Sequence, residues 1–298
     1  MSIFSRFFGQ HGEDDRVTQL IANPQIENPL SLQLLFDGQL RLQSSDVTAA
    51  LQSYHGSMAS ARCEIDPTLG EEGKVFGLAG WANHVVKLVG FDQPMPAESV
   101  ESCVAPSHYP PEVKDRARSH RGHVLLFYAG YETSPYEQYV ALAAAAGALS
   151  QFGAIVILND AAHTSFPAAA LSRSGTDGDM IALLRTLPLA ILYCGFVKYE
   201  VDGTSGVWMR TYGAHLLGLP DFAAYASAHD ESQRYFDIFE NIFAYLRDSG
   251  AVLAAGHTMQ VGEHEFLRCR ERTEDEYFLE SDGELLVAEI IGPDEINQ

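Results

Sequence analysis

The sequence predicts an α+β fold of two related modules, each in the β-α-β-β-α-β order of a ferredoxin-like unit and packed together. Short apolar runs of strand length alternate with stretches of helical period, and the junctions between them are rich in Gly, Pro, Asn and Asp. That order of signals occurs twice along 298 residues, a length suited to one large or two closely packed domains.

Residues 1–29 form a polar arm in which Asn23-Pro24 and Asn28-Pro29 interrupt any regular element. The first module spans 30–133. Residues 31–36 read as a strand, and Ser44-Ser45-Asp46 starts a helix that ends near Tyr54. Residues 74–81 and 84–91 make a hairpin over a tight Ala82-Asn83 turn. Pro96 and Pro110-Pro111 each open a short helix, because the first helical turn tolerates a missing N–H. The apolar run 123–129 supplies the closing strand.

The second module spans 134–298. Ser134-Pro135-Tyr136-Glu137 caps a helix to about Phe152, in which Ala145, Ala146, Gly147 and Ala148 leave little bulk and predict close packing. Residues 154–158 form a buried strand, and 189–201 with 206–212 flank Asp202-Gly203 as the arms of a hairpin. Asp230-Glu231 starts the strongest helix, where Tyr235, Ile238, Phe239, Ile242, Phe243 and Leu246 recur at helical spacing and Gly250 follows the end. Asp237, Glu240 and Asp248 mark its polar, exposed face. Short strands near 257–261, 266–270 and 285–290 complete the order. The loops 89–94 and 217–222 each follow a hairpin and precede a helix, as an internal duplication would leave them.

Forty Asp and Glu against nineteen Lys and Arg give a formal charge of −21, unevenly placed: residues 221–298 hold eighteen acids and five Arg, a net −13. Nucleic-acid phosphates demand the opposite sign, so no direct nucleic-acid ligand is expected, whereas a cationic protein would be steered toward this charge. No apolar run approaches the ~20 residues of a membrane span, so no membrane partner is expected. The first residues lack the apolar core of a secretory signal. Cys63, Cys103, Cys194 and Cys269 are widely spaced with no Cys-x-x-Cys pair, which predicts reduced thiols and a cytoplasmic location.

No spacing matches a zinc cage, a phosphate loop or a nucleophile elbow, so neither a metal nor a cofactor is expected. His120 and His123, beside Lys114, Arg116 and Arg118, read as a structural helix end. Cys194 lies in an apolar run that keeps its thiol protonated. Arg210, Tyr212 and His215 emerge together where a strand ends beside glycines, and Lys198 and Glu200 on the preceding strand could face them. Such a set could form a ligand pocket: Arg holds a carboxylate or phosphate and His moves a proton near neutral pH. Glu263, Glu265, Glu271, Glu274, Asp275 and Glu276 are the expected partner-binding carboxylates, because they lie on or between short strands and loops carry binding more often than solvated helix faces do. By alternation Glu263 and Glu265 would share one strand face.

The stretch 207–221, Val-Trp-Met-Arg-Thr-Tyr-Gly-Ala-His-Leu-Leu-Gly-Leu-Pro-Asp, resembles the bacterial domain-of-unknown-function family 4261, as do the helix through Asn241-Ile242 and Ala255-Gly256-His257-Thr258. The resemblance covers roughly 190–290 and brings no catalytic residues with it. It implies a setting near type VI secretion and polymorphic-toxin genes, where small acidic proteins neutralise effectors. With the acidic last quarter, it leads to the expectation of a non-enzymatic immunity protein that binds a basic effector, such as a nuclease toxin, and occludes its active site. The alternatives are a small-ligand protein or enzyme using Arg210, Tyr212 and His215, and a secretion-system adaptor.

Overall fold

The computed structural model describes residues 19–69, 73–172 and 178–296; most of the polar arm, residues 1–18, lies outside the described residues. In chain order the elements are β1 (Ser31–Phe36), α1 (Ser44–Tyr54), β2 (Arg62–Ile65), β3 (Lys74–Trp81), β4 (His84–Phe91), α2 (Ala97–Val104), α3 (Pro111–Arg118), β5 (Gly122–Tyr128), α4 (Pro135–Leu149), β6 (Ala154–Asn159), β7 (Thr164–Pro167), α5 (Met180–Thr186), α6 (Leu189–Leu192), β8 (Gly195–Tyr199), β9 (Val207–Tyr212), β10 (Asp221–Ala226), α7 (Ser232–Ser249), β11 (Thr258–Gln260), β12 (Phe266–Arg270) and β13 (Leu285–Ile291). The fold is α+β.

The strands form two sheets. The first has the order β2-β3-β4-β5-β1-β6-β7 with every pair antiparallel. The second has the order β11-β12-β13-β10-β9-β8, antiparallel except for the parallel pair β10–β13.

Beyond its first turn helix α4 is apolar all round, so no face of that stretch suits water. From Tyr139 to Leu149 every residue is buried, and the helix packs on β1, β4, β5 and α1. Its small residues allow that approach: a Cβ on Gly147 would lie 2.4 Å from the Tyr54 hydroxyl. Helix α7 is amphipathic and lays its apolar stripe on the second sheet, with Phe222 of β10 stacked on Phe239 at 5.5 Å and tilted against Phe243 at 5.6 Å. Each such side chain contributes about 1.5–3 kcal/mol when fully buried. One contiguous apolar core runs through both sheets, from Leu30 to Ala288.

Several expectations change in three dimensions. Helix α4 and β6 sit on the first sheet, with β6 paired to β1, so the boundary expected at 133/134 cuts through the first sheet. A ferredoxin-like unit needs a parallel pair, and among the described residues the first sheet has none. The loop 89–94 does lead to a helix, α2, but 217–222 runs into β10, so the two loops are not equivalent. Residues 189–192 form a helical turn before β8. Glu240 is not on a solvated face: its carboxylate caps α6 by accepting from Leu189 N at 2.9 Å and Ala190 N at 2.7 Å. Two such bonds leave it bound to the neighbouring element, and burial pushes its carboxyl above the usual range while they oppose the rise.

The turn between β6 and β7 meets the start of β8. A Cβ on Gly195 would lie 1.8 Å from the carbonyl oxygen of Ala162, so this approach requires glycine. It brings His163 to the end of the second sheet, where the candidate site lies.

Candidate functional site

Alternation along β9 puts Trp208, Arg210 and Tyr212 on one face. Beyond Tyr212 the chain turns at Gly213 into a 3-10 turn, Ala214–Leu217, that carries His215, and Asp221 then opens β10 antiparallel to β9. This return places Asp221 among the residues it has just left. Its Oδ1 accepts from Thr211 Oγ1 and Ala214 N, each at 3.1 Å, and its Oδ2 accepts from His215 Nδ1 at 3.1 Å. Asp221 is 1% exposed. Burial raises its carboxyl above the usual range, and the donors from His215, Ala214 and Thr211 pull against that. A carboxylate on Nδ1 holds the ring orientation and leaves Nε2 as the nitrogen for other work.

The opposite wall is the segment 271–284, a strap that joins β12 to β13 and contains a 3-10 stretch, Glu274–Leu279. Two of its carbonyls are tied to Arg210: Nη2 donates to Glu280 O at 2.6 Å and Nη1 to Phe278 O at 3.4 Å. Arg210 is 2% exposed, its guanidinium lies over the Tyr212 ring at 4.1 Å, and its Nε has no hydrogen-bond partner. Tyr212 also meets His163 in a T-shaped contact, with ring centroids 4.6 Å apart. The strap presses on His215 at Gly283, where a Cβ would fall 2.3 Å from the His215 Cβ.

Between these walls is an open cavity of about 820 Å³, lined by the buried or half-buried Arg210, Tyr212, His215 and Asp221, which make its floor, and by the exposed Glu271, Glu274 and Asp282, which mark its mouth. The size suits a small ligand. The floor is a buried cation beside a carboxylate–imidazole pair, which can bind an anionic group and exchange a proton.

Of the expected pocket residues, Arg210, Tyr212 and His215 converge. Lys198 and Glu200 do not. Lys198 is paired across the hairpin with Met209, one residue out of phase with Arg210, so it takes the other face of the sheet. Glu200 meets His229 at 3.0 Å.

The six expected partner-binding acids are split by β12. Glu263 and Glu265 lie in the β11–β12 turn, and the strand between Glu265 and Glu271 separates them by roughly 20 Å at the usual rise. Glu265 pairs with Arg234 at 2.6 Å. Glu276 is not a free carboxylate either: Arg270 donates to both its oxygens, at 2.6 and 2.7 Å, and Thr273 N donates at 2.7 Å. Arg272 stands four residues before Glu276, the spacing of a helical pair, but the segment is a bent strap in which Arg270, six positions back, makes the contact. The hydrogen bonds from Arg270 hold the Glu276 carboxyl below the usual range. Glu271, Glu274 and Asp275 remain exposed.

His120 and His123 are structural, bonded to the carbonyls of Ala117 and Gln93 at 2.7 Å each. Cys194 is fully buried, which raises its thiol pKa. Asp221 and His163 were not singled out by sequence. Asp221 carried a usable signal, an acid six residues after His215 across a Gly-Leu-Pro turn. His163 carried none, since it arrives from the other sheet.

No curated protein and no solved structure matches the chain. Residues 210–285 match the model of a domain of unknown function, DUF4261, and apart from Ala161 and His163 every residue lining the cavity falls within that match.

Proposed function

We propose that this protein binds a small ligand in the cavity floored by Arg210, Tyr212, His215 and Asp221. The observation that carries the reading is the state of Arg210. A buried guanidinium stays charged and is costly unless paired, yet here its hydrogen-bond partners are two backbone carbonyls and its Nε has none. A buried guanidinium with no acidic partner and an unsatisfied N–H, lining a cavity, is a group for which a ligand supplies the missing acceptor.

The test is a thermal-shift panel of small polar metabolites against the wild type and Ser281→Trp, which fills the mouth from an exposed strap position. A ligand at a hundredfold its Kd stabilises the fold by about 2.7 kcal/mol. At least one compound raises the wild-type Tm and leaves Ser281→Trp unmoved. A panel in which nothing moves the wild type, or in which both proteins shift equally, overturns the reading.

A second reading rests on the strap. Glu271, Glu274, Asp275 and Asp282 project from it, exposed, and the ion pairs around it engage Glu276 and Glu289 instead. An exposed electronegative surface of this kind favours a non-enzymatic immunity role, with the strap docked on a basic effector such as a nuclease. Glu271→Lys, Glu274→Lys and Asp275→Lys combined would then slow association with that effector most at low salt. Association that does not change removes the strap from the interface.

A further inference from the structure

The floor and the mouth of the cavity differ in the charge they leave uncommitted: below, a guanidinium whose neighbouring carboxylate, Asp221, is engaged by Thr211, Ala214 and His215, and above, a majority of carboxylates. At the floor, Arg210 is 2% exposed, no acceptor among the described residues meets its Nε, and the neighbouring acids are engaged elsewhere, Asp221 by a hydrogen bond from His215 and Glu276 and Glu289 by Arg270. At the mouth, Glu271, Glu274 and Asp282 are exposed, and Arg272 lies among them.

A ligand of single charge is opposed by one end of this arrangement. A simple anion must pass the carboxylates to reach Arg210. A simple cation is attracted at the mouth and repelled by the guanidinium below. The ligand that satisfies both ends carries a carboxylate at its inner end and a cation several bonds away at its outer end. Arg is suited to the first task, because two of its five N–H donors go to the strap carbonyls, leaving others for a carboxylate, and charge-assisted bonds are the strong ones. Exposed carboxylates suit the second, since they hold a cation without full desolvation of either group.

Resting on the ligand-binding reading above, we propose that the cavity binds a basic residue with a free α-carboxylate, the carboxylate on Arg210 and the side-chain cation among Glu271, Glu274 and Asp282. That chemistry has two sources, a free basic amino acid and the C-terminal residue of a peptide ending in Lys or Arg.

Titration calorimetry of the wild-type protein separates the outcomes with probes that differ by one group. L-Arginine, L-lysine and the tripeptide Gly-Gly-Arg carry both charges, agmatine lacks the carboxylate, and Gly-Gly-Arg amide masks it. The carboxylate-bearing probes saturate the protein, and agmatine and the amide bind at least about tenfold more weakly, the loss expected for one charge-assisted contact. Tighter binding of the free amino acid or of the tripeptide assigns the source. The double variant Glu271→Gln, Glu274→Gln weakens the best probe by a few-fold, and raised salt does the same.

Agmatine binding as tightly as arginine, and the amide as tightly as the acid, would refute the carboxylate contact while leaving a cation-binding cavity. No binding of any carboxylate-bearing probe overturns the proposal outright, and the metabolite panel then decides separately whether the cavity binds anything. Because the probes vary and the protein does not, the result is independent of whether an Arg210 variant folds.

Discussion

The floor and the strap of the cavity both carry acidic residues, and the two sets do different things. Asp221 in the floor is buried and accepts three hydrogen bonds. Glu276, within the strap, is held by Arg270 and Thr273. Glu271, Glu274 and Asp275 on the same strap are exposed. A desolvated carboxylate must be paired or hydrogen-bonded to be tolerated, so the first two bind the structure to itself. The exposed three are free to meet a ligand or a partner. The contrast teaches that an acidic count measures neither role: pairing does.

The largest effect should come from Asp221→Ala. It removes the acceptor for Thr211 Oγ1, Ala214 N and His215 Nδ1 at once, and breaking a buried charged network by deleting one member costs about 3–5 kcal/mol. Urea unfolding measures this directly. A loss below about 1 kcal/mol would mean that water replaces the carboxylate and that the floor is less sealed than its burial implies.

Glu276→Ala should cost less, about 1–2 kcal/mol, since its pair with Arg270 is partly solvated and other bonds of Arg270, to Glu289 and the Glu271 carbonyl, persist. Asp275→Ala, one residue away, should stay within about 0.5 kcal/mol. Equal losses at the two positions would break the distinction drawn here. For the same reason, charge reversal at 274–276 is a poor probe of an interface, and 271, 274 and 275 are the better set.

The two held carboxylates should also differ in the sign of their pH dependence. Glu276 has a folded-state pKa below its ordinary 4.5, so its contribution is complete above that value and lost as pH falls through the folded one. The stability gap between wild type and Glu276→Gln should therefore close in acid. Asp221 has a folded-state pKa above its ordinary 3.8, so the native state takes up the proton first and gains stability as pH falls between the two values. The gap between wild type and Asp221→Asn should widen across that window. Denaturant melts at several pH values check both, and gaps moving in the same direction would contradict the assigned environments.

The smallest effect belongs to Glu274→Gln, within about 0.5 kcal/mol in stability, because an exposed side chain loses nothing on neutralisation. A ligand-dependent Tm that falls in this variant while the unliganded Tm holds would place Glu274 at the occupied mouth.

Local pattern was enough for much of this protein. The period of Tyr235, Ile238, Phe239, Ile242, Phe243 and Leu246 specifies α7 and the face it buries, and the Asp202-Gly203 turn specifies the β8–β9 hairpin. The convergence of Arg210, Tyr212 and His215 was legible for the same reason, since all three lie within six residues and strand alternation sets their directions. Strand β10 was hidden: Asp-Phe-Ala-Ala-Tyr-Ala has weak strand propensity, and it is a strand because β9 and β13 flank it. Long-range pairing alone placed β6 beside β1 and so moved α4 and β6 out of the second module. The pairing of Glu276 with Arg270, the cap that Glu240 makes on α6 and the arrival of His163 beside Tyr212 depend on contacts between segments distant in sequence or bent off any regular period. Composition and periodicity thus determine which elements form and which faces are apolar, because those follow from each residue and its near neighbours. Which charges are desolvated, paired or left free is decided only when the chain closes on itself, because the energy of a charge depends on everything packed around it.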